Sequence, residues 1–292
     1  MAEEDKKELE ALVRLMDEPD REVFDRIRQR VLEYGTEAIP YLEAAWMKLA
    51  DKGELERIED VMDEIYLNDT FEKLKAWKQQ EKHDLLEAYL LLSAFQEPDF
   101  SYEDHRKSVE KIYRDVWLEM NEELTALEKV RVMNHIFYTV YGFRELKDKK
   151  VSPLSYLISN VLRVQKGNPL SLALLYLIIA QHTGLPVFGV NLPYHFILAY
   201  MDDTKPLKKA AEYRESEILF YLNPFNKGVV FKQSEIDLFL KQLKIKASEE
   251  FYLPVDNVDT IRRLIVEMAV SQQNNGKSKK AEALKHLLKA LE

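Results

Sequence analysis

The chain has 292 residues, of which 46% are apolar and 32% charged, a balance typical of a folded globular protein with one large or two modest domains. Its net charge of −9 argues against nucleic-acid binding, because proteins that follow phosphate backbones usually carry a basic stripe. The sequence contains no cysteine, which excludes disulfides, thiolate metal sites and cysteine nucleophiles.

Hydropathy and charge predict a protein of the cytoplasm. The N-terminal residues include Glu3, Glu4 and Asp5, the opposite of the basic and then apolar order of a signal peptide. The most apolar stretch, residues 170–180, is about half of the ~20 residues that a membrane span needs. The histidines show no metal-ligand spacing, and no glycine-rich phosphate loop occurs. We therefore expect no membrane association, no metal and no cofactor.

Apolar residues at three- and four-residue spacing predict stacked helices in the first third of the chain. Gly35 ends one helix, Thr36 caps the next and Pro40 stays in its opening turn, an arrangement that resembles a HEAT-type helix pair. A full solenoid needs about three such repeats. Turn-forming residues predict further breaks at residues 68–70 and 97–99.

The aromatic and acidic residues of these helices are explained by helix packing. The carboxylates fall on amphipathic helices, where a solvated face accounts for them. The tryptophans follow apolar stripes and are predicted to be core residues. They are Trp46, Trp77 and Trp117.

After residue 151 the pattern changes to a buried helix followed by strands. Asn168 and Pro169 form a good helix start, since Asn caps a helix and Pro suits its first position. The residues up to Ala180 are apolar nearly all round, which predicts a helix buried on every side. An antiparallel sheet packed on that helix is indicated by several adjacent strands. They are predicted at residues 187–190, 196–200, 218–222 and 229–231.

The C-terminal part of the chain, after residue 231, is again predicted to be helical. Ser234 is predicted to cap one helix and Asp256 or Asp259 another, while residues 274–276 separate the last pair.

Three short motifs carry a resemblance to a known family. They are residues 163–172 (RVQKGNPLSL), the turn 184–186 (GLP) and residues 191–196 (NLPYHF). They resemble the bacterial SirB-type transglutaminase-like family, whose pattern is a basic pair, Gly-Ile-Pro-Ile-Ser-Leu, a buried helix, Gly-Leu-Pro and Val-Asn-x-Pro-Gly-His-Phe. Residues 223–225 (NPF) stand where that family often has Asp-Pro-Phe. The resemblance covers roughly two thirds of the chain, and the spacing from helix to histidine is its most specific part.

The resemblance implies a fold and a set of domains. The fold class is α+β and predominantly helical, with a HEAT-like N-terminal region packed on a papain-like or transglutaminase-like core that holds a small antiparallel sheet. We expect the helical region at residues 1–95, the core at 96–248 and a tetratricopeptide-like helical hairpin at 249–292. Because no long Gly-, Ser- or Pro-rich linker occurs, one compact body is expected.

The resemblance also implies site residues. In such a core a helix N-terminus bears the nucleophile, a strand bears a histidine, and the next strand bears an acid or amide. Pro169 stands where the catalytic cysteine would be, His195 matches the histidine and Asn223 matches the third member. The surrounding cleft would be lined by Gly167, Asn168, Pro169, Asn191 and Tyr194. Two departures further reduce the case for catalysis: Tyr194 replaces a glycine and could narrow the cleft, and an amide at Asn223 cannot stabilise an imidazolium by charge.

Several functions remain open at this stage. The first is a non-catalytic interaction or scaffold module for a protein partner, because the cysteine position holds proline. The second is a hydrolase or acyltransferase that uses Ser171, His195 and Asn223, which requires the Ser171 hydroxyl to lie within about 3 Å of the His195 ring. The third is binding of a small ligand in an open apolar pocket near His195.

Overall fold

The structure, a computed structural model, describes residues 3–48, 51–97, 99–147, 152–202, 204 and 208–292. The chain divides into two compact units, Met1–Ala76 and Trp77–Glu292. The fold is α+β and predominantly helical, which confirms the predicted class. The domain boundaries expected at residues 95 and 248 stay predictions. No helix in the described part of the chain is both long and apolar enough to cross a bilayer.

The first unit is built from helices that share one core. They are α1 (Glu3–Arg14), α2 (Arg21–Glu33), α3 (Ile39–Trp46) and α4 (Lys52–Lys78), with a 3₁₀ turn at Gly35–Ala38. Leu9, Val31, Leu42 and Ile58 are among the side chains buried together. The turn between α2 and α3 is the predicted one, and Gly35 lies in it with a φ of 56°.

The break predicted at residues 68–70 is wrong, because α4 continues through it. Thr70 is buried and Asp69 forms an i,i+4 ion pair with Lys73 at 2.7 Å, so packing and a helical pair override the turn preference of the local sequence. The helix ends at Lys78, and the next helix begins after Asp84, whose carboxylate accepts the backbone N–H of Leu86. Pro98, in the second predicted break, lies outside the described residues.

The second unit holds the remaining helices and all of the strands described. The helices are α5 (Leu85–Gln96), α6 (Tyr102–Glu119), α7 (Ala126–Asn134), α8 (Ile158–Val164), α9 (Pro169–His182), α10 (Gln233–Gln242), α11 (Asn257–Asn274) and α12 (Ser278–Leu287). A π-helical turn, His135–Val140, extends α7, and 3₁₀ turns lie at Pro153–Tyr156, Ala210–Glu212, Glu215–Glu217, Pro224–Asn226, Glu249–Phe251 and Leu288–Leu291.

The strands form two sheets. The two-residue strands β1 (Arg144–Glu145) and β2 (Lys166–Gly167) pair in parallel and were not predicted. The predicted strands are confirmed as an antiparallel sheet in the order β3-β4-β5-β6. They are β3 (Val187–Leu192), β4 (His195–Met201), β5 (Ile218–Asn223) and β6 (Val229–Phe231).

Helix α9 is the buried helix that the sequence predicts. Every residue from Leu170 to Ala180 is buried, and Asn168 caps the helix with Pro169 at its first position. In the tail, Asp256 caps α11 as expected, by accepting the backbone N–H of Asp259. The cap expected at Ser234 is wrong: the N-cap is Lys232, two residues earlier, and its backbone N–H donates to the Glu235 carboxylate.

The tryptophans divide between core and surface. Trp77 is buried as predicted, and its indole N–H donates to the carbonyl of Asp84 at 2.8 Å. The prediction is wrong for Trp46 and Trp117, which are exposed. Trp117 follows the α6 pattern only loosely, since the buried stripe of that helix runs through Val109, Ile112 and Val116.

One face of the four-stranded sheet packs on α10. Three of the seven side chains of β4 share a buried cluster with that helix. The members from these two elements are Ile197, Ala199 and Met201 of β4, with Ile236 and Leu240 of α10.

The opposite face packs on α9. Because successive side chains of a strand point to opposite faces, Phe196, Leu198 and Tyr200 of β4 point away from α10. Helix α9 contacts β3 and β4. Burial raises the pKa of Tyr176 on α9 and the hydroxyl of Tyr200 raises it further, in agreement with a Tyr200 side chain that points toward α9. The sheet therefore separates α9 from α10.

Asn134 on α7 connects Tyr176 on α9 with the turn at Gly228 through side-chain hydrogen bonds. Its amide Nδ2 donates to the carbonyl of Gly228 at 3.1 Å, and its Oδ1 accepts the hydroxyl of Tyr176 at 2.9 Å. Gly228 has a φ of 64°, and a Cβ there would lie 2.0 Å from Asn134 Oδ1. A side chain at position 228 would strain the backbone at positive φ and would also displace Asn134, so only glycine fits at this turn.

We predict that Gly228→Ala lowers the free energy of unfolding by about 2–4 kcal/mol, because strain at positive φ adds to displacement of Asn134. Gly184→Ala is the matched control. Gly184 also has a positive φ, of 75°, but no atom lies within 4 Å of its Cβ position, so a loss of about 1–2 kcal/mol is expected. Urea denaturation of both variants measures the difference; equal losses would contradict the role given to Asn134.

Candidate functional site

His195 is the first residue of β4 and lies on the sheet face that carries Ile197. Its ring meets the ring of Phe239 on α10 edge to face, with the centroids 5.0 Å apart. The histidine that the family resemblance selects thus faces α10, on the opposite side of the sheet from α9.

His195 and Asn223 line the same cavity. Its volume is about 280 Å³, and most of its wall is apolar. The lining residues are Leu192, His195, Ile197, Asn223, Asn226, Val229, Phe231, Glu235, Ile236 and Phe239. Asn223 Oδ1 accepts the backbone N–H of Asn226 at 3.2 Å, which orients the amide and leaves its Nδ2 as the free donor.

The charge state of His195 is set by its surroundings. Partial burial of the ring lowers the pKa of His195 below its ordinary value, and the positive charge of Arg263 on α11 lowers it further. Arg263 was not identified from the sequence, because it lies in the tail and belongs to no motif. It also donates to the carbonyl of Leu192 at 3.1 Å, beside the paired His195. The imidazole is therefore neutral near pH 7 and can accept or donate a hydrogen bond.

The start of α9 is sealed by hydrogen bonds rather than open to a cleft. Asn168 is buried, its Oδ1 accepts the N–H of Ser171 at 2.8 Å, and its Nδ2 donates to the carbonyl and the hydroxyl of Ser155 at 3.3 and 3.2 Å. Pro169 follows, with no reactive group. The N-terminus of α9 is thus an internal cap in this structure.

Ser171 has no access to solvent or to His195. The residue is 0% exposed, and its hydroxyl donates to the carbonyl of Asn168 at 3.4 Å. A Cβ on Gly167 would lie 2.6 Å from this hydroxyl, so the oxygen is packed against that glycine. Since α9 lies on the other side of the sheet from the cavity, the structure does not bring Ser171 to His195.

The other predicted cleft residues lie away from the cavity. Gly167, Asn168 and Pro169 lie at the sealed start of α9. Asn191 lies on the α9 face of the sheet, paired with Phe196, and its Oδ1 accepts from Arg263 at 3.4 Å. Tyr194 is 82% exposed and has a φ of 63°, so it projects from the hairpin between β3 and β4 and does not narrow the cavity.

Comparisons with known proteins identify one family that this chain matches. A family model described as the transglutaminase-like superfamily matches residues 103–266. The chain is 30% identical over 119 residues to a UPF0162 protein of Pseudomonas aeruginosa, which is 41% of this chain and 44% of that protein. It is 25% identical over 193 residues to the UPF0162 protein YchA of Escherichia coli K12, or 65% of this chain and 67% of that one.

The chain is also 30% identical over 112 residues to human F-box only protein 21, which is 38% of this chain and 17% of that protein. The match to a UPF0162 protein of Vibrio cholerae, at 24% identity, covers 63% of the relative. The matched part of the chain therefore spans 44% to 67% of the length of these bacterial relatives. No solved structure matches. Within the described residues, no group of three or more His, Asp or Glu side chains is arranged to hold a metal ion.

We predict that Asn168→Ala lowers the free energy of unfolding by about 2–3 kcal/mol, because it removes a helix cap and leaves buried partners of that amide unpaired. Asp256→Ala is the matched control, since Asp256 caps α11 from an exposed position, and we expect it to cost about 1 kcal/mol. Denaturant unfolding measures both. If the two losses were equal, the start of α9 would not be the sealed cap described above.

We predict that the pKa of His195, followed by NMR titration of its ring, lies below the ordinary value of about 6.5. Arg263→Gln should raise it toward that value, whereas Arg262→Gln, which removes the neighbouring arginine paired to Asp259, should leave it unchanged. Because the folded-state pKa is the lower one, the contribution of His195 to stability is full above about pH 6.5 and is lost as the pH falls through the folded-state pKa. A pKa at or above the ordinary value would contradict this account of the site.

Proposed function

This chain belongs to the transglutaminase-like superfamily, and we propose that within it the chain is a non-catalytic interaction module whose His195 cavity receives an apolar side chain of a protein partner. The observation that carries the proposal is a histidine–amide pair without a nucleophile. His195 and Asn223 share a cavity, and the described residues that line it include no serine, threonine or cysteine. Acyl transfer by this superfamily's chemistry requires a nucleophile within reach of the histidine.

The shape of the cavity favours a single side chain as its occupant. Its volume of about 280 Å³ is at or below the lower end of the range typical of small-molecule sites, roughly 300–1,000 Å³. Six of its ten lining residues are apolar, and the polar ones offer hydrogen bonds at the edge. A buried apolar anchor surrounded by polar groups is the usual centre of a protein–protein interface.

Exposed apolar residues next to the cavity extend the same surface. Val229, which lines the cavity from the edge strand β6, is exposed, and so is Leu238 on α10, the helix that supplies Ile236 and Phe239 to the cavity wall. Apolar side chains grouped around a pocket are a feature of interaction surfaces. A partner that seats one side chain in the cavity would cover these residues as well.

We include in the proposal the finer features that the sequence predicts. They are membership of the SirB-type branch, a cytoplasmic location, a HEAT-like N-terminal pair and a tetratricopeptide-like tail. Helix pairs of these kinds commonly present extended binding surfaces, which supports a scaffold role. Neither nucleic acid nor a membrane is part of the proposed set of partners.

The proposal is tested by comparing Val229→Glu with Val270→Glu. Both valines are about half exposed, but Val229 lines the cavity whereas Val270 lies on α11 and does not. A partner captured from native cells by the wild-type protein should then bind the purified wild-type and Val270→Glu proteins equally. Its affinity for Val229→Glu should fall at least tenfold, because a charge would be desolvated at the edge of the cavity. Equal binding by all three would place the interaction elsewhere.

The catalytic alternative has its own decisive assay. Purified protein should show no turnover of ester, amide or peptide substrates above the uncatalysed rate, and Ser171→Ala and His195→Ala should leave that result unchanged. Turnover that is lost in both variants would establish the Ser171, His195 and Asn223 hydrolase or acyltransferase and refute the non-catalytic assignment.

A further inference from the structure

Helix α6 carries a second surface that the proposed function does not use. Lys107, Lys111, Arg114 and Trp117 follow one another at spacings of four, three and three residues, so they lie along one side of the helix. All four are exposed. We call this set, with the adjoining Leu118, the α6 stripe.

The apolar end of the α6 stripe is unusual for a solvent-facing helix side. Trp117 is 62% exposed and Leu118 is 66% exposed, although the core face of α6 is already filled by other residues. Tryptophan is among the residues most enriched in the energetic centres of protein interfaces, because it buries a large area at little cost in conformational entropy. Two large adjacent apolar side chains in water indicate a surface that a partner covers.

A groove runs beside the α6 stripe. Its volume is about 640 Å³, and its wall is formed by α6 and the end of α9. The ring of His182 on α9 stacks on Tyr113 of α6 with the centroids 5.0 Å apart. The lining residues are Lys107, Glu110, Lys111, Tyr113, Arg114, Trp117 and His182. The groove thus combines an aromatic floor with a mainly cationic edge.

Two of the cations are not committed to other groups. Lys107 pairs with Glu103 at 3.1 Å. Lys111 and Arg114, in contrast, form no ion pair within 4 Å in the part of the chain that the structure describes. The residues that line the groove include three cations, Lys107, Lys111 and Arg114, and one carboxylate, Glu110, so the charged groups of the groove are positive in sum on a chain of net charge −9.

We propose that the α6 stripe is a docking surface for an acidic segment of a partner protein, which packs an apolar side chain on Trp117 and Leu118 and places carboxylates beside Lys111 and Arg114. The charge of the stripe complements such a segment. Residues 107–118 span eleven steps, or about 16 Å of helix, which matches roughly three turns of a docked helix. This site is separate from the His195 cavity and does not depend on its occupant.

The same charges do not suit other polyanions. Nucleic acids bind through many phosphate contacts. Because the chain has a net charge of −9, its surface outside the stripe would repel a long nucleic acid. Stable binding to an anionic membrane usually draws on clusters of about 4–8 basic residues, and the stripe holds three, one of them paired. A short acidic segment meets these charges without extending into the acidic remainder of the surface.

The probe for the experiment is a synthetic helical peptide with glutamates and a leucine–phenylalanine pair along one side. Its counterpart has lysine in place of every glutamate. Binding to the full chain is followed by tryptophan fluorescence in 50 mM and 300 mM salt. We expect the acidic peptide alone to bind, with an affinity that falls several-fold at the higher salt. The fluorescence change should be absent in Trp117→Phe.

The decisive variant is Lys111→Glu with Arg114→Glu, which should weaken binding of the acidic peptide at least tenfold. Lys244→Glu with Lys246→Glu makes the same type and amount of charge change at exposed residues after α10, and it should stay within twofold of the wild type. Val229→Glu, which alters the His195 cavity, should also bind the peptide normally, so the two proposals fail independently. Absence of binding to the wild type, equal binding of the lysine peptide, or full affinity in the Lys111→Glu, Arg114→Glu protein would each overturn the proposal.

Discussion

A β-strand presents successive side chains to opposite faces, and the whole account of this protein depends on how β4 obeys that rule. Ile197, Ala199 and Met201 face α10, so His195, two residues before Ile197, faces α10 too. Helix α9 packs on the other face. In the arrangement that the family resemblance implies, the helix N-terminus and the histidine meet across one site, whereas here a sheet stands between them.

The start of α9 is consistent with this separation. A catalytic helix N-terminus must leave its first turn open, so that the backbone N–H groups and a nucleophile can meet a substrate. Here Asn168 is buried against Ser155 and closes that turn, and Ser171 packs against Gly167. The N-terminal end of α9 therefore contributes to the stability of the fold and not to catalysis. The surfaces left for function are the cavity beside His195 and the α6 stripe, which are made by different elements.

The sequence predicts the parts of this fold that local chemistry controls. The Asn168 cap, the buried α9 and the four antiparallel strands follow from residue types and spacing. The continuity of α4 through residues 68–70 could not be predicted, because burial of Thr70 outweighs the local turn preference. Of the site residues that the sequence suggests, His195 and Asn223 line one cavity, and their role there stays a prediction. The remaining walls come from α10, and the charge that acts on His195 comes from Arg263, both far along the chain and without a motif to mark them.

The direction of the His195 ring is the point on which the non-catalytic assignment rests, and NMR measures it directly. Nuclear Overhauser contacts between the ring protons of His195 and those of its neighbours report which helix it faces. We expect contacts with the ring protons of Phe239 and none with the β-protons of Ser171. Contacts between His195 and Ser171, together with their absence to Phe239, would show that the histidine faces α9 and would contradict the account.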